Sequence, residues 1–222
     1  KRGIVVGTQS YGKGTVQRNI GLDPNTGFLT PASDLGTLKL TLQKFYRING
    51  GSTQLNGVMP DIVLPDNFEF TKSREKDAPN ALAYDEIAKA AYTNWPAAID
   101  VTQVQNLYTQ KLADDTAFQQ IRKNAQFLSK VNDKQINLYL PAYQQMQQQI
   151  RSAVKQNETL QTLGQPMNIA FMKADQEKVD KMDKDKGERF MNWLKGLKTD
   201  RYLFETSKIM DELIVVGKTA GR

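Results

Sequence analysis

Two periodicities divide the chain near residue 66. Before it, apolar positions alternate or run together as they do in strands; after it, they recur every three or four residues, as on helix faces. Ile4-Val5-Val6, bounded by Gly3 and Gly7, is short, β-branched and apolar, and predicts a strand buried on both faces. Leu38, Leu40, Leu42, Tyr46 and Ile48 share one parity, and Thr37, Lys39, Thr41, Gln43 and Arg47 share the other. That pattern predicts a strand with one buried face. Lys44 breaks the apolar parity and reads as an edge lysine with its stem along apolar surface rather than as a catalytic one. Asn49-Gly50-Gly51 predicts a turn, and 58–64 an edge element whose hydrogen bonding Pro60 and Pro65 limit. The stretch 22–34, with Pro24, Gly27 and Pro31, predicts a loop long enough to reach a cleft.

From 66 to 79 the chain is charged and aperiodic, which predicts a linker. Beyond it, Asp100 can cap a helix with Val101, Val104, Leu107, Tyr108 and Leu112 on its apolar face. Asp114 or Asp115 can cap the next, with Phe118, Ile121, Ala125 and Leu128 inward. Ile136, Leu138 and Leu140 alternate and predict a short strand ended by Pro141. A long helix to about 163 comes next, and its glutamine-rich run 144–149 reads as a polar face. Phe190, Met191, Leu194 and Leu197 form another face, closed by Thr199; Tyr202, Leu203, Ile209, Met210, Leu213 and Ile214 form the last. The fold class is therefore α+β, with a strand-rich part over 1–66, a linker over 67–80 and a mostly helical part over 81–222.

Charge alters this picture little. The net charge is +6, but between 173 and 201 lysines alternate with acids. Mixed signs make solvated, salt-bridged helix faces rather than a phosphate-binding stripe, so nucleic acid is not an expected partner. The chain has no cysteine and no histidine, which removes Ser-His-Asp and Cys-His catalysis and Cys/His zinc sites together; no metal or organic cofactor is implied. No stretch approaches the roughly 20 apolar residues needed to span a membrane. Asp114-Asp115 and Asp211-Glu212 read as cap and surface residues rather than as a carboxylate pair for acid–base work.

The chemistry-bearing segment is Ser10-Tyr11-Gly12-Lys13-Gly14-Thr15-Val16-Gln17, a lysine between two glycines directly after an apolar strand. Gly7-x-x-x-x-Gly12-Lys13 matches the first seven positions of G-x-x-x-x-G-K-[ST]. Gly14 stands where the magnesium-holding hydroxyl belongs, and 15–20 has no helical period, so P-loop-like nucleotide binding is a remote alternative. A lysine can also act as a general base on a serine hydroxyl once burial or a neighbouring cation favours its neutral form, the Ser-Lys variant of nucleophilic catalysis. Gln17, four residues on, could hydrogen-bond such an amine. A surface turn with an exposed lysine is the plain alternative, and spacing alone favours it.

The segment 7–17 (Gly-Thr-Gln-Ser-Tyr-Gly-Lys-Gly-Thr-Val-Gln) resembles the catalytic-lysine segment of the carboxy-terminal processing, or tail-specific, serine peptidases. Gln43-Lys44-Phe45-Tyr46-Arg47, Asn49-Gly50-Gly51-Ser52-Thr53-Gln54 and Gly57-Val58-Met59-Pro60-Asp61-Ile62 resemble the next segment, in the same order, of the periplasmic members; Asp200-Arg201-Tyr202-Leu203-Phe204-Glu205-Thr206 is a looser match. The resemblance implies that Lys13 is the general base and Gln17 its orienting partner. It also implies that the nucleophilic serine, the oxyanion-hole donors and a PDZ module that binds substrate tails lie upstream. Ser10 would then be a false candidate, and the chain a carboxy-terminal fragment with half of an active site, inactive alone. Polypeptide substrates, a periplasmic or envelope location and self-association through an uncovered sheet edge are the accompanying expectations. A non-catalytic interaction domain is the competing class.

Overall fold

The computed structural model describes residues 3–22, 36–93, 101–132 and 135–220. The predicted cleft-reaching loop, beyond Leu22, and Asp100 as a helix cap lie outside the described residues. The elements run β1 (Val6–Gly7), β2 (Thr15–Gly21), β3 (Thr37–Lys44), β4 (Ile62–Val63), a 3-10 turn (Glu75–Asp77), α1 (Thr102–Asp114), α2 (Thr116–Asn132), α3 (Leu140–Gln161), α4 (Lys173–Asp180), α5 (Lys184–Lys198) and α6 (Arg201–Ala220). The α+β class predicted from sequence holds. Two compact units interleave along the chain: one comprises the described residues of Lys1–Thr8, Pro60–Thr71 and Trp95–Arg222, the other those of Gln9–Met59 and Lys72–Asn94.

In the first unit β1 and β4 pair in parallel, Val6 opposite Ile62 and Gly7 opposite Val63. Asp61 N–H donates to Val5 O at 2.8 Å, Leu64 N–H to Gly7 O at 2.9 Å, and Asp61 Oδ2 accepts the Val5 N–H at 2.9 Å. Ile4 and Val6, on one parity, pack against a core of Ile62, Val104, Tyr108, Ile209 and Leu213. Val5, on the other parity, is 42% exposed. Among the described residues α1 and α6 cover one face of this strand, and its other face, expected to be buried too, is left open.

The helices follow their apolar periods. Asp115 caps α2, its Oδ1 accepting from the N–H groups of Ala117 at 2.8 Å and Phe118 at 3.0 Å, and α2 buries Phe118, Ile121 and Ala125. The short strand predicted over 136–140 is absent. Pro141 lies in the first turn of α3, where its missing N–H has no helical partner to lose and its fixed φ suits the helix; it starts a helix instead of ending a strand. The stretch of mixed charge forms α4 and α5 with i,i+3 ion pairs, Lys178–Asp175 at 2.8 Å and Lys186–Asp183 at 2.9 Å, on solvated faces as expected.

Polar bonds fasten these helices as well. Asn124 Nδ2 donates to the buried Asn157 Oδ1 at 2.7 Å, and Asn157 Nδ2 donates to Asn67 Oδ1 at 2.7 Å, linking α2, α3 and the segment before them. Tyr202 lies edge-on to Phe118 and donates its hydroxyl to Pro65 O at 2.8 Å; burial pushes that phenol up to about 12.

In the second unit β2 and β3 form an antiparallel ribbon from Thr15↔Lys44 to Gly21↔Thr37, with an irregularity between Val16 and Gln17. The predicted strand is present, but its predicted buried face is not. Leu38, Leu40 and Leu42 are exposed, as are Val16 and Ile20, because no second layer covers the ribbon among the described residues. Lys44 Nζ pairs with Asp85 Oδ2 at 2.9 Å at the ribbon's end, as an edge lysine. The turn at 49–51 forms, with Arg47 N–H donating to Gly51 O at 2.8 Å.

Asn157→Ala should lower the stability of the first unit by about 1–3 kcal/mol, since it takes one of two acceptors from Asn124 Nδ2, which keeps Gln156 Oε1 at 2.9 Å, and removes the donor to Asn67 Oδ1. Urea unfolding followed by far-UV circular dichroism, which reports the helices, measures this; an unchanged midpoint would show that the asparagine ladder carries no stability.

Candidate functional site

Everything around Lys13 lies in the second unit. The chain enters the turn with the Ser10 N–H donating to Val58 O at 3.1 Å, and leaves it with the Phe45 N–H donating to Gly14 O at 3.1 Å. Between these, Leu55 N–H donates to Gly12 O at 2.8 Å and Thr53 Oγ1 to Lys13 O at 2.9 Å. The segment 52–58 thus holds the Gly-Lys-Gly turn along its whole length. Both glycines are required there. Gly12 has φ 99°, in the left-handed region. A Cβ on Gly14 would lie 2.5 Å from Gln54 N and 2.6 Å from Ser52 Oγ, so only a residue without a side chain fits.

The turn delivers Lys13 to a carboxylate. Lys13 Nζ and Glu75 Oε1 are 3.0 Å apart; the lysine side chain is 37% exposed and the glutamate 8%. The same oxygen accepts from Gln54 Nε2 at 3.1 Å. Gln54 is fully buried and completely bonded: its Oε1 accepts the Gly14 N–H at 2.9 Å, and its Nε2 also donates to Leu82 O at 3.0 Å. Glu75 is anchored through its backbone too, its N–H donating to Tyr11 O at 3.1 Å. Burial would raise the Glu75 carboxyl, but hydrogen bonds from Lys13 and Gln54, the Lys13 charge and a further bond from Tyr11 together hold it below the ordinary glutamate value.

Of the two residues singled out by sequence, Lys13 is therefore fixed against Glu75, while Gln17 Nε2 donates to Thr41 Oγ1 at 3.1 Å across the ribbon. Ser10 Oγ accepts the Val58 N–H at 2.8 Å. Two residues of the site were missed. Gln54 sits in the Asn49-to-Gln54 block that carries the resemblance, yet nothing in its spacing assigns it a partner. Glu75 lies 62 residues from Lys13, in charged, aperiodic sequence read as linker. The phosphate-binding alternative is not supported: a strand rather than a helix comes after Lys13, and the Gly14 N–H is given to Gln54. Among the described residues no three carboxylates converge to hold a metal ion.

The family described as the C-terminal domain of tail specific protease matches residues 68–215, and peptidase family S41 matches residues 1–64. A tail-specific protease of Haemophilus influenzae is 47% identical over 92 residues, covering 41% of this chain and 13% of that protein. A carboxy-terminal-processing protease of Bartonella bacilliformis is 41% identical over 64 residues, 29% of this chain and 12% of that protein. The matched segments thus span only a small part of either relative.

The Glu75 network predicts an acid limb of stability. Because the folded carboxyl ionises below its unfolded value, the network's contribution is full above the ordinary glutamate value near 4.5 and is lost as pH falls through the lower, folded one. Hydrogen exchange at the Gly14 and Leu55 amides should accelerate over that window beyond its intrinsic pH trend, and Glu75→Gln should remove the excess. Identical pH trends in both proteins would refute the linkage.

Proposed function

From a chain that belongs to the family of the C-terminal domain of tail specific protease, with peptidase family S41 over its first 64 residues, we propose a Ser-Lys endopeptidase in which Lys13 is the general base. The substrates are polypeptides recognised by their C-terminal tails, and the compartment is the periplasm or cell envelope. A serine supplied upstream of this chain attacks the scissile carbonyl carbon, and the Lys13 amine takes its hydroxyl proton. The tetrahedral intermediate collapses with cleavage of the C–N bond, and Lys13 returns the proton to the leaving amine. Water then attacks the acyl-enzyme by the same proton path. Gln17 is the candidate orienting side chain; it lies on the strand that leaves Lys13, where its Nε2 donates to Thr41 Oγ1 at 3.1 Å. The upstream part of the protein would also supply the oxyanion-hole donors and the PDZ module.

One observation carries this reading. Lys13 sits on a turn that admits only glycine at Gly14, with its Nζ held at a fixed point 3.0 Å from a buried carboxylate. A lysine kept for solubility needs neither constraint. If the nucleophile lies upstream, the chain alone leaves Lys13 without that hydroxyl to activate.

In the full-length protein, Lys13→Ala should lower kcat for peptide hydrolysis by roughly 10²–10⁴-fold, the usual contribution of a general base. Lys13→Arg should fail equally, because a guanidinium stays protonated. Wild-type turnover in Lys13→Ala would remove Lys13 as the base. The chain alone should hydrolyse no peptide and take up no fluorophosphonate; covalent labelling at Ser10 or another of its serines would place the nucleophile here instead.

A further inference from the structure

Glu75 is unexplained by the proposed reaction. A surface ion pair would need no such surroundings. Here the carboxylate is buried, and its Oε1 is shared by Lys13 Nζ at 3.0 Å and Gln54 Nε2 at 3.1 Å. Gln54 in turn grips the Gly14 N–H, one residue past the lysine, at 2.9 Å. The two bonds close a loop: Lys13 side chain to Glu75, Glu75 to Gln54, Gln54 to the backbone beside Lys13. Such a loop fixes the direction of Nζ relative to its own backbone. The other charged groups of the surrounding elements are engaged or face outward. Arg74 Nη1 donates to the Gln9 side chain, Asp77 Oδ2 accepts the Arg74 N–H at 3.0 Å, and Lys76 is exposed. The Tyr11 side chain hydrogen-bonds Glu75 as well.

We infer that Glu75, held by Gln54, is the positioning residue for Lys13: it aims the amine and stabilises the ammonium that forms when Lys13 accepts a proton. The inference rests on Lys13 being the base. Its logic is that of the carboxylate behind the histidine in a Ser-His-Asp site, transferred to a lysine. A carboxylate at this distance aims the amine and supplies a preorganised counter-charge as the ammonium forms.

Full-length variants test this through kcat and KM separately. Glu75→Gln keeps an oxygen for Lys13 and Gln54 but removes the charge. It should lower kcat for peptide hydrolysis several-fold and leave KM near the wild-type value, because Glu75 acts on proton transfer and not on substrate binding. A wild-type kcat in Glu75→Gln, or a loss carried by KM, overturns the inference. Glu75→Asp keeps the charge but withdraws it by one methylene. Its kcat should fall about tenfold, and a wild-type kcat in Glu75→Asp would equally overturn the inference. Lys13→Ala in the same assay separates the two levels: activity surviving there sinks the base itself, whereas an inactive Lys13→Ala beside a wild-type kcat in Glu75→Gln sinks only the positioning role.

Discussion

A carboxylate taken out of water has to recover both its hydrogen bonds and its counter-charge, and in the second unit Glu75 is that carboxylate. Left unpaired, it would be among the more destabilising things a small unit could bury. Its partners are correspondingly fixed: Lys13 supplies the charge, Gln54 supplies an amide hydrogen, and the Glu75 backbone N–H is tied to Tyr11 O. Each partner then constrains something further. Gln54 lies against the turn, where a Cβ on Gly14 would meet its N at 2.5 Å and its Cβ at 2.8 Å. Gly12, at φ 99°, takes the bend before Lys13. The spacing Gly-Lys-Gly records this close packing of the turn against the segment that carries Gln54.

The two units are stabilised by different means, and this decides how much of each could be read in advance. The first has an apolar core in which Val104, Tyr108, Ile209 and Leu213 meet Ile62. Apolar residues at helical spacing advertise such a core, so α1, α2, α3, α5 and α6 were legible, with the α2 cap narrowed to Asp114 or Asp115 and the stop placed at Thr199. Legibility failed at 136–140, where alternation suggested a strand. Two exposed apolar residues ahead of a helix give the same local pattern, and the proline expected to stop a strand sits in the first turn of a helix.

The second unit has little apolar core, and its order rests on backbone bonds and a few buried polar side chains. Parity correctly placed β3 but gave it the wrong environment: Leu38, Leu40 and Leu42 share a face that nothing covers among the described residues. Parity reports which residues lie together and does not report what lies opposite. The site was half legible for a related reason. Lys13 announces itself because flanking glycines are rare without a backbone requirement. Gln54 and Glu75 are common residues in unpatterned sequence, and a contact spanning 62 residues has no local signature. Tyr202 is a milder case, since the block around it was visible by resemblance, while its work of fastening α6 to Pro65 O and stacking edge-on against Phe118 emerges only from the fold.

Stability alone does not account for the Lys13 network. Replacing a buried ion pair and its hydrogen-bonding partner by apolar side chains of similar volume is commonly neutral or stabilising, and Lys13 keeps more than a third of its side chain in contact with solvent, where a charge pair contributes little. An apolar trio at positions 13, 54 and 75 could hold the turn against the 52–58 segment, because most of the backbone bonds there do not involve these side chains. What it could not do is present a basic nitrogen at one fixed point, backed by an anion that cannot swing away. The network fixes the placement of a single amine, which is what the proposed proton transfer requires of it.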